Sequence, residues 1–199
     1  SSAASDVYKR QALIDVLAAH QIKEGILIAL LKREKTGKGC HIKTTLEETA
    51  IASLMNQSSN YLMAEHNPKK LGTLHPNIAP YGDIINSMDG TKLILAIGTD
   101  KQFVSFCELI KLNANIDFDT NQKRVTKREE LMKIINDKTS VLKSSWLLEN
   151  CHNRQIPIGK IKTVGEVMQE KIAQQMILEE MVDGFPTKRI KTNSFELLN

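Results

Sequence analysis

DVLAAHQIKEGILIALLKREKTGKG, residues 15–39, opens on a single carboxylate, Asp15, and runs through a nearly all-apolar helix into a basic turn broken by glycine. Between residues 16 and 31 only His20, Gln21, Lys23 and Glu24 are strongly polar; Lys32, Arg33 and Lys35 then precede Gly37 and Gly39. Cations complement the negative end of a helix and glycine terminates it. At the other end, unpaired backbone N–H groups and the positive dipole end favour an anion. Asp15 therefore has two readings: an N-cap on a buried helix, or a carboxylate held where chemistry occurs.

The motifs around this stretch come in a fixed order. Asp15 stands ten residues before Gly25, and Gly25-Ile26-Leu27-Ile28-Ala29-Leu30 follows. Arg33-Glu34-Lys35-Thr36-Gly37-Lys38-Gly39 then leads into an expected short strand over 40–45. Further on come Leu71-Gly72-Thr73-Leu74-His75-Pro76-Asn77-Ile78-Ala79-Pro80-Tyr81, Ala96-Ile97-Gly98 with Gln102-Phe103, and Ile156-Pro157-Ile158-Gly159. Singly each has an ordinary explanation, such as a glycine at positive φ or prolines in an extended linker. Together, over about residues 12–199, they resemble the class III CoA-transferases, the CaiB/BaiF family.

That resemblance implies that Asp15 is a covalent nucleophile and that the activity is transfer of coenzyme A from an acyl-CoA to a carboxylic acid. The CoA thioester is then a substrate, and no tightly bound cofactor is implied. The implied fold is α/β: the tail of a Rossmann-like large domain over 12–70, a linker over 71–80, a small α+β domain over 81–160, and a returning segment of the large domain over 161–199. Residues 1–11 have no counterpart in the family and are expected to be a non-native leader. Family members are longer, with a nucleotide-binding-like region ahead of the aspartate, so the chain reads as the C-terminal portion of a truncated member, inactive alone. The complete protein is implied to be an interlocked homodimer.

Two alternatives remain. In α-methylacyl-CoA racemases of the same family the aspartate shuttles a proton and a glycine-rich run follows it. Here no glycine follows Asp15 before Gly25, and the His75 to Tyr81 segment is closer to dicarboxylate-type transferases. The other alternative is an inactive fragment or acyl-CoA-binding module. For substrate or CoA binding the candidates are His75, on the inter-domain linker where ligands tend to bind, and Lys38. His20 lies about 140° around the helix from Asp15, so it reads as a packed or hydrogen-bonded histidine and not as its partner.

Composition narrows the classes further. The chain has 199 residues, 41% hydrophobic and 25% charged, with a formal net charge of +4. Lysines and arginines are scattered beside acidic residues and aromatics are only 5%, which argues against nucleic acid as a partner. No apolar run has the length needed to span a bilayer and no signal-peptide pattern is present, so no membrane partner is expected and the location is expected to be cytoplasmic. Three cysteines without C-x-x-C spacing and five histidines without ligand spacing point to reduced, mostly buried thiols and no metal.

Along the chain, periodicity predicts a helix over 47–64 starting near Thr45, and strands over 82–86 and 93–97 around Met88-Asp89-Gly90-Thr91. Thr99 and Gln102 form an expected capping box for a helix through Leu109. Helices over 121–136 and 140–150 follow, the second carrying Trp146 as expected core packing. A return strand over 156–160 precedes a helix capped by Thr163 and Glu166 and running toward Gln174. Asp183-Gly184-Phe185-Pro186 predicts a final hairpin.

Overall fold

The computed structural model describes residues 12–113 and 117–196. They form two compact units that divide between Pro76 and Asn77. In the first, helix α1 (Leu13–Thr36) ends where Gly37, at φ 71°, donates its N–H to the Arg33 carbonyl. Only glycine enters that left-handed conformation without strain. Gly25 has a different use: a Cβ there would lie 3.1 Å from Ile42 Cγ2, so its absence lets the following loop approach the helix. Helix α2 (Leu46–Ala52) starts on Thr45, whose hydroxyl accepts from the Glu48 N–H at 3.1 Å. Helix α3 (Asn56–Ala64) follows a break at Met55, φ 53°.

The expected strand over 40–45 is absent; residues 40–45 are irregular. The single helix expected over 47–64 is two helices, because Met55 takes a left-handed turn that apolar periodicity cannot signal. Within this chain α1 exposes its apolar surface: Ala18 is its only buried residue, and Leu27, Ile28 and Leu31 are exposed.

The second unit is built on an antiparallel sheet in the order β1 (Tyr81–Asn86), β2 (Lys92–Ala96), β3 (Ile158–Lys160). Ile84 faces Ile94, which faces Gly159 across the three strands. Helices α4 (Asp100–Leu109), α5 (Asn121–Thr126), α6 (Arg128–Thr139) and α7 (Ser144–Asn153) supply the rest of the core. Ile85, Leu93, Leu95, Ile97, Phe103, Phe106, Leu131, Ile135 and Leu147 are fully buried there. The Thr99–Gln102 capping box is formed as expected. Asp89, in the β1–β2 turn, accepts from the Ser87 and Ser144 hydroxyls and from the Ser144 N–H. Those bonds tie the turn to the start of α7 and hold the Asp89 carboxyl far below its ordinary range.

The helix expected over 121–136 breaks at Lys127, φ −101°, into α5 and α6. The helix expected from residue 140 starts at Ser144, with Leu147 and Cys151 facing the core and Trp146 left 39% exposed. The indole therefore does not fill the core, because the helix register assigns that face to smaller residues. Cys107 and Cys151 are buried free thiols pushed up to about 12 and about 11 by desolvation, whereas Cys40 is exposed.

Helix α8 (Val164–Met168) carries the Thr163–Glu166 capping box and is followed by a separate α9 (Lys171–Gln175). The closing hairpin pairs β4 (Ile177–Val182) with β5 (Phe185–Ile190). Its turn is tighter than expected, only Asp183 and Gly184 at φ 51° and 82°, so Phe185 and Pro186 belong to the strand.

Candidate active site

Asp15 lies in the first turn of α1, two residues inside the helix start, and is exposed. The N-cap is Ala12, which makes no side-chain cap, and Asp15 is the acidic residue of the first turn. The N-cap reading of Asp15 is thus displaced by three positions: it is a first-turn anion favoured by the helix dipole, not the cap itself. His20 is exposed and not packed.

Lys38 follows the far end of the same helix, where its backbone N–H donates to the Thr36 hydroxyl at 3.3 Å. At the helical rise, α1 separates it from Asp15 by about 30 Å, so within one chain these two side chains cannot meet at one reacting atom. His75 is half-buried in the irregular segment before Asn77. A shallow hollow along α1 is lined by Leu27, Leu30, Leu31, Arg33 and Glu34, and a groove in the second unit by Leu148, His152, Gln155 and Ile156 to Ile158. Neither contains Asp15, Lys38 or His75.

The most elaborate polar construction surrounds residues 77–81. Asn121 Nδ2 donates to the Asn77 carbonyl at 2.7 Å, and its Oδ1 accepts from the Ala79 N–H at 3.1 Å. Arg124, 2% exposed, donates through Nε to the Ala79 carbonyl at 2.9 Å, through Nη1 to the Phe118 carbonyl at 3.0 Å, and through Nη2 to Asp100. Its guanidinium carbon lies 4.3 Å from the centre of the Phe103 ring, a favourable cation–π placement. Arg128 grips the buried Asp83 carboxylate through Nε and Nη2, at 3.0 and 2.8 Å, and donates to the carbonyls of Ile78 and Tyr81. The Ala79–Pro80 peptide held in this clamp is cis.

Sequence reading missed Asn121, Arg124 and Arg128. Asn121 and Arg124, three apart, share one stripe of α5, and Arg128 opens α6; the spacing was a signal available in principle, but reading charged stretches as solvated helix faces concealed it.

Comparison with known proteins agrees with this architecture. Residues 2–196 match the family model described as CoA-transferase family III, and the chain belongs to that family; the match includes nearly all of the stretch 1–11 expected to have no counterpart in it. It is 33% identical over 187 residues to a succinate–glutarate CoA-transferase of Agrobacterium fabrum, covering 91% of this chain and 46% of that protein. It is 31% identical over 163 residues to the human succinyl-CoA:glutarate CoA-transferase, covering 80% of this chain and 36% of the relative. The chain thus spans half or less of the length of these relatives. Among solved structures, a CaiB/BaiF family protein from Brucella suis superposes with a TM-score of 0.62 at 32% identity, over 88% of this chain and 47% of that one. The M. tuberculosis protein Rv3272 superposes at 0.76 and 17% identity, over 94% and 50%, and shares the fold. No helix among the described residues is long and apolar enough to cross a membrane.

Proposed function

We propose that the complete protein transfers coenzyme A from an acyl-CoA to a dicarboxylic acid, with Asp15 as the group that becomes acylated. The observation that carries this reading is the placement of Asp15 in the first turn of α1, ten residues before the Gly25–Ile42 contact. The names of the relatives, which act on succinate and glutarate, support the dicarboxylate class.

In this mechanism an Asp15 oxygen attacks the thioester carbonyl and the C–S bond breaks, giving an acyl-aspartyl anhydride and CoA thiolate. The thiolate attacks the aspartyl carbonyl and expels the donor acid as its carboxylate, leaving an aspartyl-CoA thioester. The acceptor carboxylate attacks that thioester, releasing the thiolate again; the thiolate then attacks the acceptor's acyl carbonyl and frees Asp15. Covalent catalysis divides one difficult exchange into easier steps. Because a carboxylate is a weak nucleophile and the helix dipole stabilises it further, positioning and limited hydration must supply the rate.

His75 is assigned to the substrate carboxylate, and Lys38, at the remote end of α1, to a phosphate of CoA. The domain division of the whole protein, a Rossmann-like large domain completed by residues 161–199, an interlocked homodimer and a cytoplasmic location belong to the same reading. The test is Asp15→Asn in the complete protein, which keeps size and removes nucleophilicity. Folding and CoA binding should persist while exchange of CoA between acids is abolished. Hydroxylamine trapping after incubation with acyl-CoA should place a hydroxamate on Asp15 in the unsubstituted protein only. Normal turnover of the Asn variant, or a label on another residue, would overturn the assignment.

A further inference from the structure

Every backbone carbonyl from Asn77 to Tyr81 is hydrogen-bonded: Asn77 by Asn121, Ile78 and Tyr81 by Arg128, Ala79 by Arg124, and Pro80 by the Ile97 N–H at 3.1 Å. An ordinary loop would run at the surface with its carbonyls on water. Here two guanidinium groups are taken out of water to hold it, one balanced by Asp100 and the Phe103 ring and the other by buried Asp83. Desolvating a guanidinium is costly unless the site satisfies it fully, and no buried side-chain nitrogen or oxygen lacks a partner among the described residues. The clamp begins two residues after His75.

We propose that Arg124, with Arg128 and Asn121, is a positioning residue for His75. The clamp fixes the backbone that directly follows the histidine, so that the imidazole meets the substrate carboxylate with less ordering cost at each turnover. This rests on the assignment of His75 given under the proposed function. Neither arginine touches substrate; both act through the chain they hold.

The experiment is a double-mutant cycle in the complete protein with Arg124→Lys, which keeps the charge and loses the fork on Ala79 and Phe118. Hydrogen exchange should quicken over residues 74–81 and stay unchanged over 92–109. KM for the acceptor acid should rise about fivefold with kcat within about twofold, the size of one weakened hydrogen bond. In a His75→Ala background the same substitution should change neither constant, because the group it positions is gone. An equal loss in that background, or unchanged exchange over 74–81, overturns the proposal. Should Arg124→Lys fail to fold, Asn121→Ala goes through the same cycle. Should the complete protein transfer no CoA, the function reading falls separately. The clamp is then judged on exchange and on the His75 imidazole NMR signals, which support it if they shift in Arg124→Lys and overturn it if they do not.

Discussion

The two units use similar side chains to opposite effect. In the second, apolar residues recur on one face of each helix and on alternate strand positions, so Phe103, Phe106, Leu131, Ile135 and Leu147 meet Leu93 and Leu95 in a closed core. In the first, α1 is apolar on all sides, and Val16, Ile26, Leu27, Ile28, Leu30 and Leu31 face outward. A helix of that kind is stable only when surrounded. Hydrophobic content alone therefore does not give a self-sufficient unit; its angular distribution does.

The largest expected effect separates the two. Produced apart, residues 77–196 should melt cooperatively, whereas residues 12–76 should show no cooperative transition and should associate through exposed apolar surface. Calorimetry and light scattering check this, and a monomeric cooperative melt of 12–76 would break the comparison. Within the whole chain, Phe106→Ala should cost about 3–5 kcal/mol by leaving a cavity. Leu31→Ala, at a residue 60% exposed, should stay within about 0.5 kcal/mol; urea titration of both variants sharpens the contrast.

Next in size is Arg128→Met, which strands the Asp83 carboxylate in a buried site and should destabilise the second unit by about 3 kcal/mol. Adding Asp83→Leu should recover part of that loss, and a full additive loss would contradict the pairing. The smallest effect is a pH dependence at the surface. The Thr163 N–H and hydroxyl, then Lys160, hold the Glu166 carboxyl at about 2. A depressed carboxyl stabilises the fold above its unfolded value of about 4.3 and loses that contribution as pH falls toward the folded value. An NMR titration should find Thr163→Ala raising Glu166 toward the ordinary carboxylate range.

Legibility in the sequence followed the range of the interaction. Local chemistry was readable: the Thr45, Thr99 and Thr163 caps, the Gly37 stop and the Asp183-Gly184 turn each depend on residues a few positions apart. Breaks at Met55 and Lys127 were hidden, since neither residue type signals a departure from the helix. The outward face of Trp146 was hidden too, because an apolar residue's size does not say which side of the helix the core will occupy. At the candidate site, Asp15 was proposed from ordered motifs. The clamp was not, because Arg124 and Arg128 meet Ala79 and Asp83 only after some forty-five intervening residues have folded.

The closing hairpin carries two cross-strand ion pairs, Glu179–Lys188 and Glu180–Arg189, yet these charges do not dictate its alignment. Sliding β5 by one position would set Glu179 opposite Arg189 and Glu180 opposite Lys188, two pairings equally acceptable in sign. What forbids the slide is the two-residue turn, whose left-handed Asp183 and Gly184 leave no slack. Drawing Phe185 into a three-residue turn would therefore yield a second hairpin with those two pairings and with the side chains of one strand turned to the opposite face. Lengthening the turn at the expense of β5 would thus trade one coherent surface for another.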